Sequence, residues 1–112
     1  MDIAVEKFGA VTIATLHGDE LDASNVADFR RDIAPVLAEH ANLILDLGRL
    51  RFIDSSGLGA MLSCLRQLNA SGAELKLCGM SKPVRAVFEL VRMHRIFDIY
   101  DTREQAVGAF QH

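Results

Sequence analysis

Only two cysteines occur among the 112 residues. Cys64 and Cys78 have neither a C-x-x-C spacing nor a histidine at metal-ligand spacing, so a zinc site and a disulfide framework both lack support. Free, buried thiols in a reducing compartment are the expectation. No apolar run approaches the roughly 18 residues that span a bilayer, and the first segment, Met1 to Lys7, is charged and interrupted. The chain therefore reads as cytoplasmic, without membrane insertion. Excess positive charge is lacking too. Twelve bases against 15 acids leave a net charge of −3, which argues against nucleic acid, whose binding rests largely on neutralised phosphates. There is no repeat, low-complexity tract or linker. Walker A, G-x-G-x-x-G and G-x-S-x-G patterns are all absent, and no cofactor is called for.

What remains is an ordinary globular composition, 50% hydrophobic and 24% charged, in a length that suits one domain over 1–112. A chain of this size can bury about two thirds of its extended surface, enough for a core without staples. Ile3 to Phe8 and Val11 to Leu16 are rich in β-branched residues and flank Gly9-Ala10, which predicts a hairpin. A polar turn from His17 to Asp22 follows, with Asp22 or Ser24 placed to cap a helix over about 25–39. Val26, Phe29, Ile33 and Val36/Leu37 recur there at helical spacing, and Pro35 invites a kink. Leu43 to Leu47 is almost unbroken in its apolarity, the pattern of a central strand covered on both faces.

After Asp54-Ser55-Ser56-Gly57, the residues Leu58, Met61, Leu62, Leu65 and Leu68 mark a second helix that Ser71-Gly72 ends. Leu75 to Cys78 is a further strand. Ser81-Lys82-Pro83 opens a third helix with Val84, Val87, Phe88 and Val91 on one face. A short strand at Ile99-Tyr100 and a helix over about 102–110 close the chain. The order β-β-α-β-α-β-α-β-α predicts an α/β fold: a mixed, mostly parallel sheet of about five strands with about four helices and three crossovers.

Charge is unevenly spread. Residues 1–48 carry nine acids and three bases, residues 49–112 six and nine. Lys82, Arg85, Arg92 and Arg95 share the third helix and its end, opposed only by Glu89, and form a basic face. A solvated surface explains that face as simply as an acidic partner would.

Two serines between a strand and a helix lie where free backbone amides and the positive end of the helix dipole converge, a position that favours a phosphate. One of them is expected to cap the helix as well, and on spacing alone both also read simply as cap and turn residues. Gly57 and Gly59 leave the first turn bare, open to the backbone of another protein, or else serve loop geometry and helix packing. A nucleophilic serine would need a base within hydrogen-bond reach and a third group to orient it. His17 at a strand end, His40 and His94 at helix ends, and His112 at the terminus are weak candidates. A metal cluster of Asp46, Asp54, Glu20 and Asp22 has no spacing to support it.

The run Asp46-Leu47-Gly48-Arg49-Leu50-Arg51-Phe52-Ile53-Asp54-Ser55-Ser56-Gly57-Leu58-Gly59 closely resembles the signature of STAS domains, in particular the anti-sigma factor antagonists of bacteria. The likeness spans essentially the whole chain. Gly18 to Asp22 is similar to the family's Gly-Glu-Leu-Asp turn with Asp19 as one extra residue, and Gly48 stands where serine is common. Pro83-Val84-Arg85, Phe88-Glu89-Leu90 and Ile96 to Tyr100 resemble the family's C-terminal third.

The resemblance implies partner switching rather than catalysis by this chain. The unmodified antagonist binds an anti-sigma factor with serine-kinase activity, of the GHKL type, and so frees a sigma factor. Phosphorylation at Ser55 ends the contact, and a PP2C-type phosphatase resets it. Asp22, Asp54, Ser56, Gly57, Leu58, Gly59 and Leu62 are the expected partner-contact residues, although the two leucines also fit the helix's core stripe. The alternatives are a STAS adaptor in another switching or transport-linked complex without a sigma factor, and a serine hydrolase.

Overall fold

The computed structural model describes residues 1–110. The opening hairpin pairs β1 (Ile3–Phe8) with β2 (Val11–Leu16) through a turn in which Gly9 takes φ 63°, a region that glycine enters at little cost. Then come β3 (Glu20–Leu21), α1 (Val26–Leu37), β4 (Asn42–Asp46), β5 (Phe52–Ile53) and α2 (Ser55–Ala70). The chain continues through β6 (Leu75–Cys78), α3 (Lys82–Leu90), a 3-10 turn at Met93–Arg95, β7 (Asp98–Tyr100) and α4 (Arg103–Phe110). The helical periods, the hairpin and the four long strands lie within a few residues of where the sequence puts them. The β3 and β5 pair was not foreseen.

Five strands form one sheet in the order β1-β2-β4-β6-β7, with β1 antiparallel to β2 and every other neighbour parallel. Helical crossovers link β2 to β4, β4 to β6 and β6 to β7. The apolar run occupies the central strand, where Leu43, Ile44 and Leu45 are buried on both faces. Leu43, Leu45, Leu75 and Leu77 face the three helices α1, α2 and α3, and meet Phe29, Ile33, Met61, Leu68, Val84 and Phe88. Phe88 and Phe97 pack edge to face with centroids 5.7 Å apart. On the opposite face Val11, Ile13, Ile44 and Cys78 lie beneath Ala106 of α4. Each fully buried large side chain contributes about 2 kcal/mol through lost apolar contact with water.

Neither Asp22 nor Ser24 caps α1. Asn25 holds the cap position without a side-chain bond to the helix. Its Oδ1 accepts from the Asp22 amide at 3.0 Å and its Nδ2 donates to the Glu20 carbonyl at 2.8 Å, so it braces the preceding turn instead. The Asp22 carboxylate accepts from the Ser24 amide and hydroxyl, an Asx-type turn that keeps it from the helix. Pro35 is accommodated in the last turn of α1 and is exposed.

Candidate functional site

Parallel β2 and β4 end at the same rim of the sheet, and the loops leaving that rim carry β3, β5 and the start of α2. The site is built on the smallest of the pairings. β3 and β5 run parallel, Glu20 opposite Phe52 and Leu21 opposite Ile53. The Asp19 carbonyl accepts from both the Arg51 amide at 2.6 Å and the Phe52 amide at 3.1 Å, so the extra residue of the turn fastens β5.

Asp54 is the cap of α2. One carboxylate oxygen accepts from the Gly57 amide at 3.0 Å and the other from the Ala23 amide at 3.1 Å, clamping the 22–24 turn against the helix start. The expectation that a serine caps this helix is thereby corrected. Ser55 and Ser56 occupy the first two helical positions, Ser55 exposed and Ser56 half-buried. Among the described residues neither hydroxyl has a protein partner, and neither serine's amide meets an acceptor. Ser55 thus stands at the positive helix end together with two unpaired amides.

Gly57 and Leu58 are buried, which takes them off the contact surface and gives each the packing role that the sequence also offered. A Cβ on Gly57 would lie 2.5 Å from the Leu21 carbonyl oxygen and 2.7 Å from the Ile53 side chain, so glycine lets α2 start against both short strands. Leu58, at 6% exposure, belongs to the main core because the helix turns that side inward. Gly59 meets nothing within 4 Å of its would-be Cβ and leaves a bare outer surface, and Leu62 is half-buried against the core. Asp22 is half-buried at the same rim, its carboxyl held below the ordinary range by the Ser24 hydroxyl.

Among the described residues no histidine is hydrogen-bonded to either serine. His17 Nδ1 lies 3.0 Å from the Arg49 guanidinium, His40 and His94 are exposed at other chain turns, and His112 lies outside the described residues. Asp46 accepts from the Gly48 amide and, with Glu6 and Thr15, from the Arg103 guanidinium, a network the sequence did not announce. The hollow beside β1 and α4, lined by Glu6, Phe8, Ile13 and Arg103, includes neither serine nor Asp54 in its lining. Cys64 and Cys78 are free and buried, and burial pushes their thiols up to about 11 and about 12.

The family model described as STAS domain matches residues 2–106. The chain belongs to the STAS domain family. This STAS domain is 33% identical over 112 residues to BtrV of Bordetella bronchiseptica, named as a candidate anti-sigma factor antagonist, with 99% of this chain and 96% of the relative covered. It is 31% identical to the anti-sigma F factor antagonist of Paenibacillus polymyxa, over 96% of this chain and 92% of that one. Among solved structures it is similar to the Bacillus anti-sigma factor antagonist SpoIIAA, at 27% identity. The unphosphorylated form of that protein matches with TM-score 0.76, covering 98% of this chain and 96% of that one. The phosphorylated form matches with TM-score 0.69, covering 98% and 100%.

Proposed function

We propose that this STAS domain is an anti-sigma factor antagonist that binds a GHKL-type anti-sigma serine kinase when Ser55 is unmodified and releases it when Ser55 is phosphorylated. The observation that carries this reading is the division of labour at the helix start. Asp54 takes the cap, which leaves the Ser55 hydroxyl exposed and without a protein partner. Relatives named as antagonists along nearly the whole chain support the role, as does a similar Bacillus protein solved in both phosphorylation states.

In the transfer step the Ser55 oxygen bonds to the γ-phosphorus of ATP, ADP leaves, and the hydroxyl proton passes to a base of the kinase. A PP2C-type phosphatase reverses the modification by hydrolysis. The added phosphate carries about −1.5 to −2 charges. Within the free domain the helix dipole and the unpaired amides favour that charge, so the fold tolerates it. In the complex the group must be desolvated beside Asp54 and Asp22, and the contact is lost. Swinging a partition from 1:99 to 99:1 takes about 5.5 kcal/mol of differential affinity, within the reach of a dianion forced into an interface. Asp22, Ser56, Gly59 and Leu62 border the contact, Asp54 positions it, and Gly57 and Leu58 support it from within.

Capture from native cells with the wild-type chain and with Ser55→Asp, read by mass spectrometry and phosphopeptide mapping, tests the proposal. A kinase held by the first and released by the second, with phosphate on Ser55, is the expected result. Phosphate confined to Ser56, or equal capture by both chains, would overturn it.

A further inference from the structure

Phe52 is 51% exposed, while Ile53 beside it is 1% exposed. The fold gains little from this ring, yet the backbone beneath it is fixed on both sides. The Asp19 carbonyl holds the amides of Arg51 and Phe52, and Glu20 lies opposite Phe52 in register. Phe52 precedes Ser55 by three residues, so their Cα atoms lie within about 10 Å at full extension. An interface of ordinary size covers about 800 Å² on each partner, a disc about 16 Å in radius. A contact patch of that size centred on Ser55 reaches the position of Phe52. An exposed aromatic residue on a backbone held by two hydrogen bonds, flanked by exposed Arg51 and Glu20, has the composition and surroundings of an interface anchor.

We propose that Phe52 is the apolar anchor by which the partner kinase grips this domain while Ser55 is presented for transfer, an inference that rests on the switching reading above. Burial of the ring supplies affinity for the unmodified chain, and the phosphate on Ser55 acts against it. Recognition and switching thus reside on different side chains of one four-residue segment.

Phe8 provides an internal control, because it is 58% exposed at the end of β1, opposite the start of β2 and hence at the far end of the sheet from Ser55. The probe is the purified kinase captured by the wild-type chain, with ATP for turnover and ADP for binding. Phe52→Ser is expected to weaken binding about tenfold or more and to raise KM for this chain, with kcat within about twofold. Phe52→Leu recovers most of the affinity. Phe8→Ser matches wild type, and thermal midpoints of all variants stay within a few degrees. The anchor is overturned if Phe52→Ser binds as wild type or if Phe8→Ser weakens binding equally. It is overturned as well if wild type forms a dimer that Phe52→Ser splits, since the ring then serves a contact between copies. The first of these results leaves phosphorylation at Ser55 intact and the switch standing. If no kinase modifies Ser55 of the wild-type chain, the switch falls and the anchor with it.

Discussion

Asp54 uses one carboxylate for two amides, 3.0 Å to Gly57 and 3.1 Å to Ala23, and so joins a helix start to a loop over thirty residues away in sequence. Asp54→Ala breaks both and should cost about 1–2 kcal/mol, read as a lower urea midpoint. Its effect on kinase binding should exceed that loss, because the 22–24 turn is freed. Gly57→Ala meets a backbone oxygen and a buried side chain together, and should destabilise by about 1–3 kcal/mol in the same measurement. Ser55→Ala touches no partner within the domain and should stay within about 0.5 kcal/mol of wild type while blocking modification. At this scale the sequence showed which residues mattered more clearly than what each one does. The Asp-Ser-Ser-Gly run marked the site, but which of three capping-competent side chains takes the amides depends on the β3 and β5 backbone, which no periodicity reveals. The sequence left Gly57 between an open surface and helix packing, because the Leu21 carbonyl that fills the space comes from β3, far earlier in the chain.

The elements with long periods were legible because each is set by its own apolar spacing. The central strand, the hairpin and α2 are of this kind. β3 and β5 have two residues each, too few for alternation to register, and they exist because the Asp19 and Leu21 carbonyls supply acceptors to the opposite segment. The end of α3 shows a different effect. The helix stops at Val91, and Arg92 follows at φ 62°, where side chains other than glycine are strained. At the end of α2 the corresponding place belongs to Gly72 at φ 83°. Arg92→Gly should therefore raise stability by about 0.5–1 kcal/mol, visible as a higher urea midpoint, without altering phosphorylation. The basic face foreseen on α3 is real in sequence order, but Arg85 pairs with Asp101, and Leu90, Val91 and Ile96 stand exposed among the remaining charges.

Across the molecule, two core layers of unequal depth enclose the sheet, with three helices on one side and α4 alone on the other. Cys64 lies in the thicker layer and Cys78 in the thinner, both with thiols pushed well above neutral pH. A thiol reagent at pH 8 should leave both unmodified in the folded chain on the minute scale and react with both in urea. Acid acts through other groups. The Asp32 carboxyl is pushed down to about 2, first by the hydrogen bond from Arg31 and then by the Met1 ammonium. Its contribution is complete above the ordinary carboxylate value of 3.8 and is lost as pH falls from there through about 2. The urea midpoint should therefore decline over that acid interval, and less steeply in Asp32→Asn.

The glycine that admits α2 against Leu21 and Ile53 works from inside the fold, whereas Phe52, Ser55 and Gly59 look outward from the same few residues. Outward positions can diverge while the inner ones stay fixed, which gives paralogues in one cell a way to keep parallel circuits insulated from cross-talk. Transplanting the outward side chains between two such paralogues should re-route a signal without rebuilding either scaffold.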